Sequence, residues 1–134
     1  MKKFIFLIFM IFNFAVFAYD PAIDEAEELY REAKQLTVEY IASCRTLKTV
    51  SAKEITPEQR EALDAIIRHQ EVTINMYDSS LSTVKKLKQD YDYLELNEKE
   101  AAIKAVTDKN ETLKKVINSL ENAIEMNREA INSY

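Results

Sequence analysis

The sequence predicts an all-α fold: an elongated antiparallel three-helix bundle with coiled-coil-like packing, preceded by a signal-peptide helix. Three observations carry this. The 134-residue chain has no Gly and only two Pro, whereas sandwiches, barrels and α/β folds draw on Gly for positive-φ turns. Beyond position 20, apolar residues recur in alternating steps of three and four, the spacing of one helix face. Helix-start signals stand where that spacing is interrupted.

Residues 1–18 differ in kind from the rest. Lys2 and Lys3 precede an apolar run, Phe4 to Phe17, broken only by Asn13, and all six Phe of the chain lie in it. Val16-Phe17-Ala18 supplies small residues at the positions a signal peptidase reads. The run is about 15 residues, short of the ~20 that cross a bilayer as a helix. It is therefore read as a cleaved signal rather than an anchor, leaving residues 19–134 as a single domain. Lys2 and Lys3 leave with the leader, so the net charge falls from −5 to −7. An acidic domain without a basic stripe argues against nucleic acid and anionic lipid.

The first helix is expected over about 21–50. Asp20 is a good cap and Pro21 suits the first helical position. Its stripe runs Ile23, Ala26, Tyr30, Ala33, Thr37, Tyr40, Cys44, Leu47. Acids Asp24, Glu25, Glu27 and Glu28 crowd the start, and Arg45 and Lys48 sit near the end, both placements favoured by the helix dipole. The second helix, about 57–94, opens on Thr56-Pro57-Glu58-Gln59, a capping box with Pro at the first position. Its seam is Leu63, Ile67, Gln70, Ile74, Tyr77, Leu81, Val84, Lys88, Tyr91.

The third helix is expected over about 98–133, with Asn97 as cap and Glu100 completing a second capping box. Its seam is Ile103, Val106, Asn110, Leu113, Ile117, Leu120, Ile124, Asn127, Ile131, Tyr134. This seam is out of phase with the second, so a turn separates them; the alternative is one helix of over ~100 Å. Folding about residues 53–54 would set Thr37 beside Gln70 and the early acids beside Lys85, Lys86 and Lys88. Folding about 95–96 would bring Cys44, Leu63 and Asn127 to one height.

The core seam is thus centred on Ile67, Ile74, Leu81, Leu113, Ile117, Leu120 and Ile124. Gln70, Asn110 and Asn127 interrupt it, and a polar residue in a seam sets register and partner number. Catalytic groupings are missing. One His and one Cys exclude a Cys/His zinc site and an intrachain disulfide. In the expected register His69 lies ~9 Å along the axis from the level of Cys44, too far for a nucleophile pair. Cys44 is read as a packed thiol, with an intermolecular disulfide the other role open to it. Acidic rows such as Glu25/Glu28/Glu32 and Glu121/Glu125/Glu129 have helical spacing but lack the Glu-x-x-His of di-iron bundles. They are read as solvated faces, so no metal and no cofactor is expected.

The expected function is that of an exported (periplasmic or secreted), non-catalytic module for protein–protein interaction. It would be adhesin-like, scaffold or chaperone-like, and able to form a homo-oligomer, since a core without Phe or Trp is thin. The partner is unknown; no nucleic acid and no stable membrane insertion are expected. The alternative is a carrier of a small ligand or metal between the helices.

Overall fold

The computed structural model describes residues 20–134; the expected leader lies outside them. The described chain is all-helical, with three long helices and no strand among the described residues. Helix α1 is Asp20–Val50 and helix α2 is Pro57–Asp90. A 3-10 turn, Tyr91–Tyr93, leads to α3, Leu96–Asn132. The break between the second and third segments is therefore real. Among the described residues no helix is long and apolar enough to cross a membrane.

The start of α2 is local chemistry. At Thr56 the side chain accepts from the Gln59 N–H at 3.1 Å and the Gln59 Oε1 accepts from the Thr56 N–H at 2.9 Å. Two otherwise orphaned donors are satisfied reciprocally. The start of α3 departs from expectation. Glu95, not Asn97, is the extended residue before the helix, without a side-chain cap, and its carbonyl accepts from the Lys99 N–H at 2.9 Å. Tertiary anchoring overrides the sequence signal here. Tyr91 is buried, Leu94 packs on the core, and the Lys99 ammonium lies 5.2 Å from the Tyr91 ring centre. These contacts fix the point of re-entry and draw Asn97 into the first turn.

Polar contacts give the directions of the helices. Lys48 meets Asp64 at 2.5 Å, Arg45 meets Glu71 at 2.7 Å, Lys34 meets Asp78 at 2.7 Å, and Lys88 meets Asp24. Hence α2 runs antiparallel to α1. On the other side Lys114 meets Glu25 at 2.8 Å, Asn110 Nδ2 donates to the Ala22 carbonyl at 3.0 Å, and Asn127 Nδ2 donates to Ser43 Oγ at 2.9 Å. Hence α3 runs parallel to α1.

The pivot between α1 and α2 lies near residue 56 rather than 53–54, as these pairs show. After Val50 the chain continues in hydrogen-bonded turns, with Ser51 N–H donating to the Leu47 carbonyl and the Glu54 and Ile55 N–H groups donating to that of Ser51. Ser51 is fully buried. The reversal is deferred until Thr56. Thr37 consequently interacts with Tyr77, not Gln70, and Ile67 rather than Leu63 joins Cys44 and Ile41 in one apolar cluster. The larger cluster joins Ile23, Leu29, Tyr30 and Ala33 of α1 to Val84, Tyr91, Val106, Leu113 and Ile117.

Helix α1 is the hub. Small buried residues, Ala26, Ala33, Thr37 and Cys44, let both other helices approach it closely. The backbones of α2 and α3 scarcely meet each other. The three stripes therefore mesh as two interfaces sharing α1.

Candidate interaction face

Of the expected seam, Ile67, Leu113, Ile117, Leu120 and Ile124 are buried, while Ile74 and Leu81 are half-buried. Ile74 packs against the Ile41/Cys44/Ile67 cluster and Leu81 against the larger one. The three seam amides part company. Asn110 is 3 % exposed and ties α3 to the first turn of α1, with its Oδ1 left without a partner among the described residues. Asn127 donates to Ser43 Oγ and, at 3.4 Å, to Cys44 Sγ. These two links, near opposite ends of α1, hold α3 in its parallel register. Gln70 lines the opening between α2 and α3 and pairs with neither Thr37 nor α3.

Cys44 is buried, so a disulfide to another chain would require the bundle to open. Burial pushes its thiol above the ordinary value, against hydrogen bonds from Asn127, Tyr40 and Ser43 that pull it down. A thiol so placed is a poor nucleophile. His69 is exposed and lines the opening. The observed register brings it nearly level with Cys44. What separates them is the face of α2 on which His69 sits, not distance along the axis.

The acidic start of α1 is partly a clamp rather than a solvated face. Lys88 of α2 reaches Asp24 and Glu27, and Lys114 of α3 reaches Glu25. Glu25, then Glu111, holds the Lys114 ammonium above its ordinary range, and Lys48 holds the Asp64 carboxyl below its own. Among the described residues no three His, Cys, Asp or Glu side chains gather as a metal ion would require.

The opening between α2 and α3 is a furrow floored by α1. Its wider part, about 470 Å³, has Tyr40 and Tyr77 with His69, Thr73, Val116 and Ala123 along its walls. A second part, about 360 Å³, lies over Ala26 and Tyr30 between Leu87, Val84, Ala102 and Val106. Along α3 the two parts span Ala102 to Ala123, roughly 30 Å of helix. Tyr30 and Tyr77 stack obliquely, ring centres 6.2 Å apart. Burial raises the Tyr77 and Tyr40 phenols, while a hydrogen-bonding interaction with Thr37 pulls Tyr77 back.

Beside the furrow, the solvent face of α2 carries an uncharged stripe, flanked at mid-length by Arg68. Ala62, Ala65, His69, Val72, Met76, Ser79 and Thr83 follow one another in steps of three and four, all exposed. Val72 is 58 % and Met76 62 % exposed. The solvent face of α3 instead carries Lys104, Asp108, Glu111, Glu125 and Glu129, while Lys115 lines the furrow. Depletion of charge marks the core of protein interfaces. Sequence reasoning followed the buried seam and passed over this second stripe. Its signal was legible: from Val72 to Val84 only Asp78 is charged, and Asp78 is taken by Lys34. Buried Ile41 was passed over too, because it flanks the seam beside Tyr40.

No protein-family model, no curated protein and no solved structure matches the chain.

Proposed function

We propose that this chain is an exported, non-catalytic helical-bundle protein that binds another protein along the α2/α3 side, as an adhesin-like, scaffold or chaperone-like module. In this reading the bundle is elongated, its α1 interfaces mesh as in a coiled coil, and residues 1–18 direct export. The supporting observation is the furrow. A cleft some 30 Å long, apolar at its floor and edged by Thr, Ser and Tyr hydroxyls with Lys109 and Lys115, suits an amphipathic helix laid between α2 and α3. Tyr offers contact area at small entropic cost together with a polar tip. The acidic balance, −7 once the leader is gone, favours a partner that is not nucleic acid.

Site-specific photo-crosslinking tests the reading. A photoreactive residue in place of Ser119, on the furrow wall, is expected to yield discrete protein adducts in the native compartment. The same residue in place of Glu125, on the charged face of α3, is expected to yield none. Equal labelling from both positions would overturn the reading, as would purified protein carrying stoichiometric metal or pigment.

A further inference from the structure

Resting on that reading, we infer that the uncharged stripe of α2 docks a second copy of this chain, α2 against α2 in antiparallel register about a two-fold axis. Three observations converge. First, Val72 and Met76 stand at the middle of the stripe and are the most exposed large apolar side chains of α2. Second, Asp64, Glu71, Asp78 and Lys88 pair with α1, and between Ala62 and Thr83 only Arg68, at the edge of the stripe, is a charge without an ion pair among the described residues. Among the described residues nothing pairs with Glu58 or Glu61 at one end of the stripe, or with Lys85 or Lys86 at the other.

Third, the ends are complementary only to a reversed copy. Antiparallel pairing that sets Val72 against Met76 of the partner subunit sets Ala65 against Thr83 of the partner subunit. It also sets Lys86 of the partner subunit over Ala62, within one turn of Glu58 and Glu61, with Asp90 of the partner subunit one step further out over Glu58. A parallel copy would instead set Lys86 beside Lys86 of the partner subunit and Glu58 beside its own equivalent, which is repulsive. The steps of three and four keep this pairing in phase along the stripe, as the seam of a coiled coil requires. A two-fold axis makes each contact occur twice, and the contact closes at two copies.

Sedimentation of the full chain, in whatever processed form its host yields, tests the inference. A dimer is expected. Met76→Glu is expected to convert it to monomer with unchanged helix content, because Met76 is exposed in the single chain and its loss does not disturb the core. Lys86→Glu alone is expected to weaken the dimer by roughly tenfold, and Lys86→Glu with Glu58→Lys and Glu61→Lys to restore it. A monomer at the highest attainable concentration overturns the inference, as does a dimer indifferent to Met76→Glu or a triple variant weaker than the single one. If the chain is monomeric while the Ser119 probe still captures another protein, self-docking falls and the protein-binding reading stands.

Discussion

Cys44 shows how a single side chain can carry a pH dependence. Burial raises its thiol above the ordinary 9.0, so the native state holds that proton more tightly than the unfolded chain. The contribution is full below the ordinary value and is lost as pH rises through the native one. Tyr40 and Tyr77, raised above 10.0, act likewise at higher pH. Melting temperature is therefore expected to fall above about pH 9, and Cys44→Ser to move the onset toward the tyrosine range. A second contrast tests the seam. Ile117 is 7 % exposed, so Ile117→Asp buries a charge without a partner and is expected to destabilise by several kcal/mol or unfold the chain. Glu111→Ala gives up only an exposed contact with Lys114 and is expected to change stability by less than about 0.5 kcal/mol. Denaturant midpoints measure both; equal shifts would refute the seam. Individual burial was legible in the sequence wherever one face was strictly apolar. It was not legible for Ser51, which is buried because the turn after α1 keeps winding and its hydroxyl bonds back to the Leu47 carbonyl.

At the scale of the element, α2 and α3 begin for different reasons. Thr56 caps α2 with a complete capping box, so Thr56→Ala is expected to cost about 1 kcal/mol. Asn97 has the sequence signature of a cap but lies inside α3, where Asn is a poorer helix former than Ala. Asn97→Ala is therefore expected to be neutral or to stabilise by a few tenths of a kcal/mol. Thermal melts of the two variants separate the cases; equal losses would return Asn97 to the cap position. The existence and length of all three helices could be read from periodicity. The register could be read only in part: Lys88 meets the early acids and Asn127 meets Cys44 as expected, but five residues of winding after Val50 move the first pivot, and Thr37 meets Tyr77 instead of Gln70. The outer stripe of α2 escaped notice for a related reason. Periodicity of apolar residues reports burial in the single chain, whereas this stripe is marked by missing charge.

Across the whole molecule, α1 organises everything else. Its acidic first half is gripped from both sides by Lys88 and Lys114, and its second half by Asp64, Glu71 and Asn127. Exposed pairs of this kind contribute little singly, up to about 1 kcal/mol. Their effect is on order: they select which helix lies on which flank. The Asp64 carboxyl, held below its ordinary 3.8, contributes stability that is full above that value and lost as pH falls through the lowered one. Together with the alkaline loss at Cys44, a stability plateau across neutral pH is expected. Because α2 and α3 lean on α1 and not on each other, the furrow and the uncharged stripe stay on the side away from the hub, and every functional proposal here depends on that arrangement. Nuclear Overhauser contacts from the side-chain amides of Asn110 and Asn127 test it most directly. The expected spectrum links Asn110 to Ala22 and Asn127 to Cys44 and Ser43. Contacts of Asn110 with the Cys44 end of α1, or none from either amide to α1, would contradict it.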